Sequence, residues 1–174
     1  MSAPHDKDEG AFSARMRAAL RDAAPRAGRQ NVPRRVVHRD RGATVVYRYD
    51  AAPGVAGREA LVIVYALVNR PDVIDMGERR SLLRALLDRG LPVYLLDWGE
   101  PDAADRHVTL DDLICGRLHR CIDAIRADAG VERINLLGIC QGGVFSLCYA
   151  ALQPERIGAL LATVTPVDFH TADD

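Results

Sequence analysis

The stretch from Ile134 to Phe145 constrains the fold of this chain more than any other feature. It reads Ile-Asn-Leu-Leu-Gly-Ile-Cys-Gln-Gly-Gly-Val-Phe, an apolar run of strand length and a Gly-x-Cys-x-Gly turn, and a helical segment continues to about Leu152. A strand, a sharp turn and a helix in this order present the central side chain of the turn at the carboxyl end of the strand. Cys140 is therefore the candidate catalytic nucleophile. A buried cysteine in a glycine-rich turn is the alternative, but it leaves the flanking strand and helix unexplained.

The three glycines of this elbow have a predicted physical role. Without a Cβ at Gly138, Gly142 and Gly143, the strand and the helix can pass closely on either side of a strained turn. A helix that starts directly after Cys140 also directs its amide dipoles at the sulfur, which favours the thiolate and later stabilises an oxyanion. Elbows of this kind are typical of α/β-hydrolases.

The remaining apolar pattern predicts an α/β-hydrolase fold, a mostly parallel sheet with helices on both faces. An antiparallel hairpin of Val36–Arg39 and Ala43–Tyr49, joined through Asp40-Arg41-Gly42, is expected first. Four adjacent strands are then predicted over Leu61–Ala66, Val93–Asp97, Arg133–Leu137 and Gly158–Thr165. Helices are predicted over Glu78–Arg89, where Leu82, Leu83, Leu86 and Leu87 form the buried stripe, after an N-cap at Thr109, and over Gly143–Leu152.

Two segments differ in composition. We interpret residues 1–31 as a flexible polar tail in which Ala11–Ala24 has helical spacing, and residues 32–174 as the N-terminal part of a catalytic domain. The chain carries 23 basic and 24 acidic residues, a net charge of −1, which argues against nucleic acid as a partner. No apolar run is long enough to span a membrane, and the start is no signal peptide. Four cysteines without a secretory signal indicate reduced thiols in the cytosol, and no Cys/His spacing predicts a metal site.

A cysteine nucleophile also needs oxyanion donors and a base. The donors expected in this fold are the backbone N–H of Gln141 and one from the loop after the first buried strand, where Val68 or its neighbour is the candidate. Asp168 and His170 are a weak alternative acid/base pair, because two residues of separation after the last strand cannot easily place both. We therefore expect a chain truncated before the usual late histidine, which would be inactive by itself.

The other reactive side chains are expected to have no chemical role. His107 and His119 are interpreted as surface residues. Leu110, Leu113, Ile114, Leu118, Cys121 and Ile125 are predicted to line one buried helix face. Cys115 lies near the edge of that face, and Cys148 is predicted to point inward from the helix after the elbow.

The ordered set of motifs resembles the catalytic subunit of polyhydroxyalkanoate synthases of the short two-component type, class III and close to class IV. The resemblance is strongest in Ile134–Gly143 and in Val164–His170. It also includes Val45-Val-Tyr-Arg-Tyr-Asp50, Leu61-Val-Ile-Val-Tyr-Ala-Leu-Val-Asn-Arg-Pro71, Val93-Tyr-Leu-Leu-Asp-Trp-Gly99 and Leu110-Asp-Asp112.

This resemblance implies an acyltransferase that polymerises (R)-3-hydroxyacyl-CoA into a polyester with release of CoA, with Cys140 matching the acyl-carrying cysteine. It implies no cofactor other than the CoA carried by the substrate, a second synthase subunit, and a cytoplasmic location at polymer granules. The family's catalytic Asp and His lie beyond the matched residues. A cysteine hydrolase of the dienelactone-hydrolase kind and a non-catalytic fragment remain the alternatives.

Overall fold

The computed structural model describes residues 32–41, 43–51, 60–68, 70–77 and 80–168. The predicted tail, with its helical spacing over Ala11–Ala24, lies outside these residues, as does His170. No helix in the described ranges combines the length and the apolar character needed to cross a membrane.

A six-stranded sheet organises the described chain, in the order β1-β2-β4-β3-β5-β6. Strands β1 and β2 pair with each other, and β2 pairs with β4, in antiparallel fashion, while β4, β3, β5 and β6 are mutually parallel. The strands are β1 (Arg35–Arg39), β2 (Val45–Tyr49), β3 (Leu61–Val64), β4 (Val93–Asp97), β5 (Ile134–Ile139) and β6 (Ile157–Thr163). The predicted hairpin and the predicted neighbouring parallel strands are confirmed.

The register of the sheet brings the carboxyl ends of the parallel strands to one edge. Val64 of β3 pairs with Leu96 of β4 on one side and with Gly138 of β5 on the other. Ile139, the last residue of β5, pairs with Thr163, the last residue of β6. Ligands of open parallel sheets bind outside these carboxyl ends.

Helices cover both faces of the sheet. The α-helices are α1 (Leu82–Leu87), α2 (His119–Ala129) and α3 (Gln141–Leu152), and a π-helix over Asp112–Leu118 leads directly into α2. Short 3₁₀ helices span Pro71–Ile74, Ala103–His107 and Pro154–Arg156.

The side chains of the parallel strands alternate between two apolar cores. Val62 and Val64 face the core that also contains Ile122 and Phe145, from α2 and α3. Ile63 faces a smaller core on the other side, built with residues of the 3₁₀ segment and α1. Burial on both faces explains why these strands are apolar throughout.

Helix α1 is shorter than the predicted Glu78–Arg89. It begins after Ser81, whose side chain accepts a hydrogen bond from the N–H of Arg84 and so satisfies one of the free donors at the helix start. The backbone of Asp75 pairs with Ser81 in an isolated antiparallel bridge, which holds the residue before the helix extended. The predicted buried stripe is also only partly right, because Leu82 is 42% exposed.

The helix predicted from Thr109 is confirmed, and the Thr109 hydroxyl accepts from the N–H of Asp112 at 3.2 Å. Its next part is π-wound, over Asp112–Leu118. The buried face contains the expected residues except Leu110, which is 61% exposed because it lies in the first turn, outside the stretch that packs on the sheet.

Candidate active site

Cys140 lies in the turn between β5 and α3. Its backbone has φ 55° and ψ −129°, a conformation that residues with a side chain seldom adopt. Its N–H donates to the carbonyl of Thr163 at 3.0 Å, and its carbonyl accepts from the N–H of Gly143 at 2.9 Å. These two bonds hold the side chain at the carboxyl edge of the sheet, which is the placement that the sequence predicts for a nucleophile.

The elbow glycines lie where a side chain would collide with its surroundings. A Cβ on Gly142 would come 2.1 Å from the carbonyl oxygen of Val64, and one on Gly143 would come 1.9 Å from Oγ1 of Thr165. A Cβ on Gly138 would meet the Cα of Gly143 at 2.5 Å. Helix α3 can therefore pack against the ends of the neighbouring strands only with glycine at these positions.

The two predicted oxyanion donors come from α3 and from the loop after β3. Gln141 is the first residue of α3, so its N–H precedes the regular hydrogen bonds of the helix. Val68 lies in the loop with its side chain 84% exposed, and its N–H forms no hydrogen bond with any residue in the described ranges. The adjacent Leu67 N–H donates to Oε1 of the Gln141 side chain at 3.2 Å.

The predicted weak acid/base pair is only partly placed. Asp168 is exposed, and His170 lies outside the described residues. The pairing of these two side chains therefore stays a prediction.

The described histidines all have partners away from the elbow. His38 faces Asp40, with 3.7 Å between Nε2 and Oδ1, and Nε2 of His107 accepts from Nε of Arg106 at 2.9 Å. His119, interpreted from the sequence as a surface residue, is partly buried and lies 3.1 Å from the hydroxyl of Tyr149. None of the described histidines is hydrogen-bonded to Cys140.

The other three cysteines have surroundings unlike those of Cys140. Burial raises the pKa of Cys121 to about 12, and the prediction that it belongs to the core is confirmed. A hydrogen bond with Asp111 raises the pKa of the exposed Cys115. The prediction that Cys148 points inward is wrong, since its side chain is exposed. Helix α3 buries the face that carries Phe145 and Tyr149, and Cys148 lies on another side of the helix.

A cleft of about 670 Å³ opens at the carboxyl ends of β3 and β4. The loop after β3 lines it through Leu67 and Val68, and Cys140 is not among its lining residues. Its charged lining residues carry both signs; they are Arg34, Arg70, Asp72, Asp97 and Glu100. A smaller cleft of about 140 Å³ shares Leu67 and Trp98 with it. The loop after β3 thus lines this cleft and also contacts the elbow, through the hydrogen bond from Leu67 to Gln141.

Two features of the site were not predicted from the sequence. Trp98, the only tryptophan of the chain, donates from Nε1 to the carbonyl of Tyr65 at 2.9 Å and so fixes the start of the loop after β3. Val164 has φ 46° directly after β6, and no sequence pattern identifies a β-branched residue in that conformation. The only sequence signal for the Trp98 contact was that a lone tryptophan follows a buried strand.

Comparison with known proteins supports the fold assignment. The alpha/beta hydrolase fold family matches residues 59–174. A solved structure of the Francisella virulence factor BioJ superposes with a TM-score of 0.61 at 17% identity, covering 97% of this chain and 54% of that one. A putative lipase from Acinetobacter baumannii gives a TM-score of 0.59 at 17% identity, covering 90% of this chain and 48% of that one. These structures show a shared fold.

Curated relatives have much higher sequence identity. The poly(3-hydroxyalkanoate) polymerase subunit PhaC of Allochromatium vinosum is 54% identical over 75% of this chain, and that of Thiocystis violacea is 52% identical over 73%. The corresponding protein of Cupriavidus necator is 32% identical over 60% of this chain. The chain spans 37%, 36% and 18% of the lengths of these three relatives. The resemblance to polyhydroxyalkanoate synthases is confirmed.

Proposed function

The chain belongs to the alpha/beta hydrolase fold family, and from this premise we propose that it acts in a poly(3-hydroxyalkanoate) polymerase, as an acyltransferase that carries the growing acyl group on Cys140. The observation that supports this most is the identity of the elbow residue. A cysteine occupies the strained turn between β5 and α3, at φ 55°. The relatives that are more than half identical to the chain over the aligned residues are named as polymerases.

In the first step, the Cys140 thiolate attacks the thioester carbonyl of an (R)-3-hydroxyacyl-CoA. The carbonyl oxygen becomes an oxyanion, and we infer that the N–H groups of Gln141 and Val68 stabilise it. The bond to sulfur of CoA then breaks, the CoA thiolate leaves, and the acyl group remains on Cys140 as a new thioester. Because one thioester replaces another, the acyl group stays activated.

In the second step, the hydroxyl of another 3-hydroxyacyl unit attacks the acyl-Cys140 carbonyl. An ester bond forms, the bond to the Cys140 sulfur breaks, and a general base takes the hydroxyl proton. A serine in place of Cys140 would hold the acyl group as a less reactive oxygen ester. Cysteine at the elbow therefore suits acyl transfer to a hydroxyl better than simple hydrolysis does.

The proposed setting of this reaction extends the same inference. The substrate brings its own CoA, and we infer no other cofactor. The relatives are named as subunits, which supports a second synthase subunit beside this chain. We further propose a cytoplasmic location at the surface of the polyester granule, where the product accumulates.

The test is acylation by 3-hydroxybutyryl-CoA. Purified protein should release CoA in an amount that approaches one molecule per chain, measured by chromatography so that protein thiols do not interfere. Mass spectrometry should find the 3-hydroxybutyryl group on Cys140, and Cys140→Ala should abolish both signals while Cys115→Ser should retain them. Continuous release of free hydroxyacid without a stable acyl-Cys140 would favour a hydrolase, and acylation at Cys115 alone would overturn the proposal.

A further inference from the structure

The loop after β3 is held at two points by two different elements. Trp98, which follows β4 and is 5% exposed, donates from its indole N–H to the carbonyl of Tyr65. Its ring packs edge-on against Phe145 of α3, with 5.7 Å between the centroids. Two residues further along the loop, the N–H of Leu67 donates to the carboxamide oxygen of Gln141. The backbone from Tyr65 to Leu67 is thus attached to the sheet and to the elbow.

The second attachment distinguishes two neighbouring N–H groups. The Leu67 N–H is occupied by Gln141, so it is not free for a substrate oxygen. The N–H of Val68 is the next donor in the chain and has no hydrogen-bond partner among the described residues. The Gln141 side chain therefore leaves Val68, and not Leu67, as the donor that the loop offers.

We propose that the carboxamide of Gln141 is a positioning group for the oxyanion site. It fixes the Leu67 N–H so that the Val68 N–H stands opposite the N–H of Gln141 itself, on either side of the acyl carbonyl on Cys140. One residue then supplies one donor through its backbone and sets the place of the other through its side chain. This inference rests on the proposed function, since it specifies how the acyl-transfer site is assembled.

The proposal makes a specific demand on the length of the side chain. Asparagine has the same carboxamide but is one methylene shorter, so from position 141 it falls short of the Leu67 N–H. Leucine has nearly the bulk of glutamine but accepts no hydrogen bond. Both changes should misplace the Val68 donor, and loss of one oxyanion donor typically slows the reaction about 10²- to 10³-fold.

The experiment compares two reactions of the same thiol. Acylation of Cys140 by 3-hydroxybutyryl-CoA and by p-nitrophenyl acetate passes through an oxyanion, whereas alkylation by iodoacetamide does not. In each case the modified Cys140 peptide is quantified by mass spectrometry over time, and for the CoA ester over a range of concentrations. The variants are Gln141→Leu and Gln141→Asn, and the matched control is Gln153→Leu, at the far end of α3.

We expect Gln141→Leu and Gln141→Asn to lower the maximal acylation rate at least tenfold with both acyl donors. The half-saturating concentration of the CoA ester and the alkylation rate of Cys140 should stay within about twofold of the parent values. Gln153→Leu should leave all of these quantities unchanged. Unchanged alkylation shows that the elbow is intact, which a purely structural role of Gln141 would not predict.

Several outcomes would overturn the proposal. Parent-like acylation of either Gln141 variant excludes a positioning role, and an equal fall in acylation and alkylation assigns Gln141 to the integrity of the elbow instead. Acylation of the parent protein by p-nitrophenyl acetate but not by 3-hydroxybutyryl-CoA would refute the proposed function. The role of Gln141 would still be decided by the rates with p-nitrophenyl acetate. Acylation by neither donor would refute both.

Discussion

The N–H of Cys140 donates to the carbonyl of Thr163 at 3.0 Å and thereby joins the turn between β5 and α3 to the end of β6. The residue after Thr163 is Val164, and Cys140 and Val164 are the two non-glycine residues with positive φ in the described ranges. The two strained positions are therefore adjacent across one hydrogen bond. Such conformations persist only where surrounding contacts over-determine them, and they cluster at functional sites.

The strain at Val164 can be measured by removing its side chain. Val164→Gly should raise the free energy of unfolding by about 0.5–2 kcal/mol. The substitution relieves the backbone strain of a β-branched residue at positive φ, and this gain should exceed the cost of the greater conformational entropy that glycine has in the unfolded chain. Little packing is lost, since Val164 is 76% exposed. The control is Val167→Gly, at a 72% exposed residue without positive φ, which should lower stability. Equal losses for the two variants in urea unfolding would show that Val164 stores no strain.

Thiol reactivity should rank the cysteines by their surroundings. Iodoacetamide should alkylate Cys140 about tenfold faster than Cys115, although Cys115 is exposed, because the hydrogen bond with Asp111 raises the pKa of Cys115 and disfavours its thiolate. Cys121, whose pKa burial raises to about 12, should remain unmodified in the folded protein at pH 8. Time-resolved peptide mass spectrometry measures all of these rates. A Cys115 rate equal to that of Cys140 would mean that the elbow does not activate its thiol.

The close approach of α3 to β3 predicts a severe effect at one glycine. Gly142→Ala should destabilise the protein by about 2–3 kcal/mol and abolish acylation of Cys140, because the new methyl group would collide with backbone atoms of Val64 that cannot move away independently. Gly116→Ala is the matched control, since its methyl group would meet only the side chain of Arg120, at 3.5 Å. Urea unfolding should find the control equal to the parent or more stable, and equal stability of Gly142→Ala would contradict the described packing.

The carboxylate of Asp128, remote from the elbow, should make the stability of the protein depend on pH in the acidic range. Asp128 accepts from Arg35 at 2.8 Å, from Arg48 at 2.9 Å and from the hydroxyl of Tyr94 at 2.8 Å. Desolvation alone would raise the pKa of Asp128, but these hydrogen bonds outweigh it and lower the pKa. The resulting stabilisation is therefore complete above the ordinary carboxyl pKa of about 4 and is lost as the pH falls through the lower pKa of the folded state.

Asp128→Asn should accordingly lower the free energy of unfolding by about 1–3 kcal/mol at pH 7. The difference from the parent protein should shrink as the pH falls below about 4, because the unfolded parent chain then binds a proton on Asp128 more readily than the folded protein does. Glu132→Gln removes one negative charge from an exposed position without a described ion pair and serves as the control. Denaturant unfolding across pH 3 to 7 measures both, and a difference that grows toward acid would reverse the assigned sign.

The strands and the elbow could be predicted because their signals are local. The apolar runs of β3 and β4 are buried on both faces, and the glycines around Cys140 have no better explanation than a close crossing. The sequence of helix α3 did not indicate which side of the helix faces the sheet. Its residues are apolar on nearly every side, so the sequence alone did not distinguish Cys148, which is exposed, from Tyr149, which is buried. Only the packing of α3 on the sheet determines which side is covered.

The supporting contacts of the site depend on residues far apart in the chain. The bond between Leu67 and Gln141 and the bond between Tyr65 and Trp98 exist because β4, β3 and β5 are neighbours in the sheet. The strands were predicted to be adjacent, but their order in the sheet and the direction of individual side chains at the strand ends were not. The π-wound start of the helix before α2 had no sequence signal either, since its apolar spacing also fits an α-helix.

The contact between Gly142 and the carbonyl of Val64 also constrains the order in which the parts of the protein fold. β3 lies between β4 and β5, and both of these partners are made later in the chain. The strained turn at Cys140 cannot be held before β5 has docked beside β3, a non-local step that is slow in folding. During refolding, Cys140 should therefore react with a short pulse of alkylating reagent as an ordinary thiol at first. Its enhanced reactivity should appear together with the last strand pairing. The alkylation rate of Cys140 during refolding would therefore report when the sheet is complete.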